Sequence, residues 1–182
     1  MECVMNTEIV IGGERFEEAM PQKRPMLMLD SLDSYEYDES GPELTGVCSY
    51  CAGRRGCPAL DADGSLPSWA LIEVMAQAVT ATMANYYESR GIRTPVGLLI
   101  GVRRYMQGDF AAVPRLTDLT LRAHSGFFDE SMAAFDCSAG DGSGLISAEA
   151  KLIVCRPGRN DFVRMFSRPG RAAPDPGLFA IS

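Results

Sequence analysis

The sequence predicts an α+β fold in which an antiparallel sheet packs over one long helix. Three observations carry this expectation. Residues 68–89 form a single long stretch of helical pattern with almost no polar face. Two strand-like segments precede it and four follow it. Clusters of Pro, Gly and Asp separate the later strands, as the short reversals of an antiparallel sheet require. The chain has 182 residues, 46% hydrophobic and 23% charged. That suits one domain with a sizeable core and excludes collagen-like, disordered and disulfide-scaffold chains.

In chain order, ERFEEAM at residues 14–20 reads as a short helix ended by Pro21. After Pro25, MLMLDSLDSYEYD is an apolar run that turns into an alternating strand, acidic at its far end. ELTGVCSYC, residues 43–51, is the returning strand of a hairpin turned at Ser40-Gly41-Pro42. Residues 52–67, rich in Gly, Pro and Asp, form an irregular connection. Pro67 and Ser68 suit the first turn of the long helix, and Gly91 suits the position just past its end. Strands are expected at 95–106, 116–127, 130–139 and 144–155. One domain therefore spans residues 1–155. Residues 156–182 form a basic tail carrying Arg156, Arg159, Arg164, Arg168 and Arg171, expected to be poorly ordered at its end.

Charge and rare residues narrow the function. A net charge of −7 argues against nucleic acid, which calls for a basic footprint. The start, MECVMNTEIVIGG, lacks a basic segment followed by an apolar run, so no signal peptide is expected and the location is cytoplasmic. The six cysteines are then reduced thiols. Cys48, Cys51 and Cys57 lack a second CxxC or a nearby histidine, so no metal and no other cofactor is expected. The chain has one histidine, His124, set in a strand. Any histidine-dependent chemistry within the chain must use that residue or do without.

The long helix carries the chemistry. Its run WALIEVMAQAVTATMANYY must be buried on most sides or cross a membrane, and Glu73, Gln77 and Asn85 would be costly in hydrocarbon. Burial in a protein core is therefore expected. Glu73, Gln77 and Thr80 fall at i, i+4 and i+7, on one stripe. A carboxyl in apolar surroundings is either satisfied by a partner such as Gln77 or an arginine, or kept as a proton carrier.

Blocks of sequence resemble a known family. Arg24-Pro25-Met26-Leu27-Met28-Leu29-Asp30 resembles the HRxPxLLLD motif of hotdog-fold 3-hydroxyacyl-acyl-carrier-protein dehydratases of the FabZ type. Pro67 to Ala78 resembles their PGVLIxEAMAQA helix, and Gly101-Val102-Arg103-Arg104-Tyr105 with Val113-Pro114 resembles a later strand motif. The run from Asp61 to Trp69, continuing into Ile72-Glu73-Val74-Met75-Ala76-Gln77, is similar to the ApeP-like branch of aryl-polyene biosynthesis. So is Gly97 to Tyr105.

The resemblance implies a hotdog fold, usually dimeric, acting on acyl-carrier-protein or acyl-CoA thioesters with no cofactor. It implies dehydration of a 3-hydroxyacyl thioester to the trans-2-enoyl thioester, with Glu73 as the helix glutamate. Ser68 and Trp69 then stand where backbone N–H groups face the thioester. Gln77 joins Trp69 as a substrate-facing residue, and Arg103 and Arg104, with Arg115, offer charge to an acidic carrier protein. Val79, Met83 and Met75 would border an acyl tunnel.

Three departures from the family pattern stand out. Residues 51–67 hold no histidine where the family has one. Gln22-Lys23-Arg24 replaces the leading HR, and Ser68 replaces a glycine. Asp63, or its neighbour Asp61, offers a second carboxylate before the helix, the alternative being an ordinary turn. Two other functions stay open: a hotdog thioesterase, and a non-catalytic subunit that binds acyl chains or completes a heterodimer with another hotdog protein.

Overall fold

The computed structural model describes residues 11–39, 41, 43–129 and 131–158. Ser40 and Pro42 of the expected turn, and the tail arginines from Arg159 onward, lie outside the described residues. The elements are β1 (Ile11–Gly12), α1 (Gly13–Ala19), β2 (Ser31–Asp38), β3 (Glu43–Cys51) and β4 (Leu66–Pro67). A 3-10 turn at Ser68–Ala70 leads into α2 (Leu71–Glu88). Then come β5 (Leu98–Gln107), β6 (Ala112–Val113), β7 (Asp118–Phe128), β8 (Met132–Gly140) and β9 (Ser147–Cys155).

Seven strands form one antiparallel sheet in the order β1-β2-β3-β7-β8-β9-β5. α2 packs against β2, β3, β7, β8 and β9, so the sheet embraces the helix as the sequence predicts. Alternation explains which residues point inward. Leu44, Gly46, Cys48 and Tyr50 of β3 are buried, as are Leu119, Leu121 and Ala123 of β7 and Ala133, Phe135 and Cys137 of β8.

Many of these inward residues are small, which lets the helix sit close. At Gly46 the approach is extreme: a Cβ there would lie 2.1 Å from Thr82 Oγ1 and 2.9 Å from Thr82 Cβ. Only glycine fits at that crossing.

α2 stops as expected. Gly91 takes φ +68°, and the Ile92 N–H donates to the Tyr87 carbonyl at 3.0 Å. Several strands begin two or three residues later than the pattern suggests, each for a local reason. Leu116 has φ +63° and donates its N–H to the Ala52 carbonyl, so β7 waits until Asp118. The Asp129 carboxylate accepts the N–H groups of Ser131 and Met132, holding a turn before β8. Asp141 does the same for Ser143 and Gly144 before β9. β1, β4 and β6 have two residues each, too short for any periodicity to announce.

β5 stands apart. It is one of the two edge strands, paired only with β9 among the described residues, and its register slips between Leu99 and Gly101 and between Arg103 and Met106. Leu99, Ile100, Val102 and Met106 are all 40% exposed or more. A ten-residue edge strand with four exposed apolar side chains is a surface that ordinarily pairs with something. No helix among the described residues is long and apolar enough to cross a membrane.

Candidate active site

The helical period that buries one side of α2 leaves a second side uncovered. Along it Glu73, Ala76, Thr80, Met83 and Tyr87 succeed one another, and they form one wall of a cavity of about 260 Å³. The facing wall comes from Leu98 and Leu99 of β5, Met132 and Ala133 of β8, and Val154 and Cys155 of β9. The cavity is thus largely apolar along its sides, with Glu73 on the helix wall and Asp129 and Arg156 also in its lining. That is the shape of a site for an elongated apolar ligand with one reacting position.

Glu73 is half-buried, and its Oε1 accepts a hydrogen bond from Gln77 Nε2 at 2.8 Å. Gln77 is wholly buried, and its amide is fully used. Oε1 accepts the Met28 N–H at 2.8 Å, and Nε2 also donates to the Met26 carbonyl at 2.8 Å. The Met28 N–H can only donate and the Met26 carbonyl can only accept, so the amide has one allowed orientation. Its NH₂ therefore faces Glu73. Gln77 orients the carboxylate and ties residues 26–28 to the helix; it does not line the cavity.

The other expected site residues lie elsewhere. Asp63 is exposed in the turn before β4, where its Oδ1 accepts from Ser65 N–H at 2.9 Å and Ser65 Oγ at 2.7 Å. The Ser65 hydroxyl and N–H hold this carboxyl below the usual carboxylate range. This is the turn alternative the sequence left open. Ser68 donates its N–H to the Ala111 carbonyl at 2.9 Å, and its own carbonyl accepts from the Tyr105 hydroxyl at 2.7 Å. Its N–H is therefore taken within the chain. Trp69 is 64% exposed at the helix start.

Arg103 and Arg104 are exposed on β5, Arg104 with φ +54° at the second register slip. Arg115 does not reach the cavity, because its stem lies over Gly53 and Gly64. Met75 is fully buried in the core, whereas Val79 and Met83 do border the cavity.

His124 sits opposite Thr45 in the β3–β7 pair, with Nδ1 2.9 Å from Thr45 Oγ1. It is satisfied locally and does not line the cavity. Cys48, Cys51, Cys57, Cys137 and Cys155 are free thiols. Burial pushes the Cys137 thiol up to about 12 and raises Cys48 further, so neither is a thiolate nucleophile.

Two of the cavity members that the sequence did not announce carry unpartnered polar atoms. Gln22 Oε1 and Thr94 Oγ1 are both buried without a hydrogen-bond partner, and both residues line this cavity. Buried polar atoms are rarely left in that state. For Gln22 a signal existed, since it falls in the altered stretch of the first motif. Thr94 lies in an unpatterned connection and gave none.

The family model described as ApeP-like, ApeP dehydratase, matches residues 14–167. Among solved structures, the chain is similar to the dehydratase heterocomplex ApeI:P from Xenorhabdus doucetiae. The TM-score is 0.71 and the identity 21%, over 84% of this chain and 97% of that one. It is more distantly similar to a hypothetical thioesterase with coenzyme A from Streptococcus pneumoniae (TM-score 0.44, 12% identity, 70% of this chain and 88% of that one). The PaaI protein of E. coli, from the phenylacetic acid degradation operon, is comparable (0.44, 11%, 71% and 78%). The first of these likenesses establishes the shared hotdog fold; the other two are too weak to argue from. No curated protein matches the sequence.

Proposed function

The chain belongs to the ApeP-like family of dehydratases, and from that premise we propose that it removes water from a 3-hydroxyacyl thioester to give the trans-2-enoyl thioester. The carrier is an acyl carrier protein or coenzyme A, in fatty-acid- or aryl-polyene-type synthesis, and the location is cytoplasmic. One observation carries the reading: Glu73, held by Gln77, is set in the wall of an apolar cavity that runs along α2.

The chemistry follows from that placement. The acyl chain lies between Met83 and Leu98, which exclude water from the reacting carbons. Glu73 takes the proton next to the thioester carbonyl. The negative charge that develops on the carbonyl oxygen is stabilised by amide groups at the start of the 3-10 turn and α2, where the Trp69 backbone lies. The Asp63 carboxylate binds Ser65 and the Ser68 N–H binds the Ala111 carbonyl, so this reading gives neither group a proton to move. The departing hydroxyl needs a proton, and an acid must deliver it.

We propose further that a second hotdog subunit, identical or related, pairs with β5 and covers Leu99, Ile100 and Val102. The exposed apolar edge supports this, and a dehydratase heterocomplex is named for the similar structure from Xenorhabdus doucetiae. Arg103 and Arg104 would then rim the joint and meet an acidic carrier protein.

The test is direct. The purified chain, alone and with a co-expressed hotdog partner, is given 3-hydroxyacyl carrier-protein thioesters, and formation of the enoyl product is followed. Enoyl product that disappears in Glu73→Gln supports dehydration. Released free thiol without enoyl product identifies a thioesterase. Neither product, in either preparation, leaves a binding subunit.

A further inference from the structure

Elimination of water calls for a contact that Glu73 alone does not make. The 3-hydroxyl must be held with a lone pair turned toward the proton it will receive. The one imidazole of this chain is bonded to Thr45 outside the cavity, so it does not make that contact. Among the described residues of the cavity wall, Asp129 binds the N–H groups of Ser131 and Met132 through its Oδ1, and the Tyr87 hydroxyl lies 3.3 Å from Arg156 Nη1.

Gln22 is different. Its Oε1 is buried, accepts no hydrogen bond, and belongs to a residue that lines the same cavity as Glu73. The segment that carries it is fastened on both sides. Gln77 binds the backbone of Met26 and Met28 and, through the same amide, the Glu73 carboxylate. Arg24 reaches the carbonyls of Leu27 and Leu29 and the carboxylate of Glu17, and Lys23 reaches the Glu17 carbonyl. A buried, anchored carbonyl oxygen with an empty acceptor position is arranged for a donor that arrives with the ligand. Of the groups on a 3-hydroxyacyl thioester near the reacting carbons, only the 3-hydroxyl donates.

We propose that Gln22 is the hydroxyl-binding residue of this site, its Oε1 accepting a hydrogen bond from the substrate's 3-hydroxyl. The inference rests on the dehydratase reading and deepens it. With the hydroxyl held, one carboxyl suffices for the whole elimination. The Glu73 carboxylate takes the C2 proton, and the electron pair of that bond passes into the thioester carbonyl. When the enolate collapses, the C2–C3 double bond forms and the C3–O bond breaks. The leaving oxygen takes the proton that Glu73 acquired and departs as water. Glu73 is again a carboxylate, and Gln22 neither gains nor loses a proton.

The test compares binding of two probes by calorimetry with the full chain. They are a 3-hydroxyacyl amide of pantetheine, in which nitrogen replaces the thioester sulfur to slow elimination, and the matching saturated acyl amide. The wild-type chain is expected to prefer the hydroxylated probe about tenfold, the worth of one hydrogen bond in a buried site. Gln22→Leu is expected to bind both probes alike, with denaturant unfolding as the report of an intact fold. Gln22→Asn should regain part of the preference. A preference that persists in Gln22→Leu, or that is lost in Thr94→Val instead, overturns the assignment. So does a wild-type chain with no preference. Dehydration of the true thioester is assayed alongside. If the wild-type chain fails there both alone and with a co-expressed hotdog partner, the dehydratase reading falls, whereas a preference abolished only by Gln22→Leu still identifies the hydroxyl ligand.

Discussion

The two sides of α2 solve opposite problems. Toward β3 and β7, α2 packs so closely, with Thr82 against Gly46, that one strand position admits only glycine. Toward β5, Glu73, Ala76, Thr80 and Met83 face a cavity, two buried polar atoms go unpartnered, and the edge strand exposes four apolar residues. The same helical periodicity produces both. Stability is concentrated on the packed side, and the open side keeps the features a ligand and a second subunit would complete.

This division can be tested from both sides, and Glu73→Gln should have the largest effect. It removes the proton carrier from the open side while preserving its shape, and dehydration is expected to fall by about 10²–10⁴-fold with unfolding unchanged. Enoyl product formation and denaturant unfolding together check this. Next comes Gln77→Leu, the residue that joins the two sides. It leaves the Met28 N–H unpaired in the interior, at about 1–3 kcal/mol, and takes the donor from the part-buried Met26 carbonyl. Stability and turnover should therefore fall together, read by urea unfolding and by kcat.

Gly46→Ala probes the packed side alone. The added methyl must displace Thr82, and about 1–3 kcal/mol of stability should be lost with KM unchanged. On the open side Val102→Lys should leave the melting of the isolated chain nearly unchanged while shifting the assembled species toward monomer in sedimentation.

The smallest effect belongs to Asp63→Asn. The folded-state pKa of Asp63 lies below its ordinary value of 3.8, so its contribution is present above that value and fades as pH falls through the lower folded one. Replacing it should shorten the acid limb of the stability profile slightly and leave turnover alone. A large loss of turnover would put Asp63 back in the site.

Much of this was legible in the chain. The order of the longer elements, the bounds of the β3 strand and the glycine stop after α2 follow from patterns a few residues long. The i, i+4 relation of Glu73 and Gln77 is of the same kind, because a helix turns by a fixed angle per residue. The late starts of β7, β8 and β9 were harder, since Asp129 and Asp141 act through side-chain bonds that no hydrophobic period records.

The sequence by itself determined that a carboxylate would stand on a buried helix among strands, and which face of that helix it would share with Gln77. Only the tertiary structure decided what each face meets. Gln77 spends its amide on Met26 and Met28, about fifty positions away in the chain. Asp63 turns inward on Ser65, and Gln22 comes to rest in the cavity wall with its Oε1 buried and without a partner. Local periodicity sets the direction of a side chain. Its partner is set by how distant segments pack, and for a polar group the partner decides whether it supports the fold or waits for a ligand.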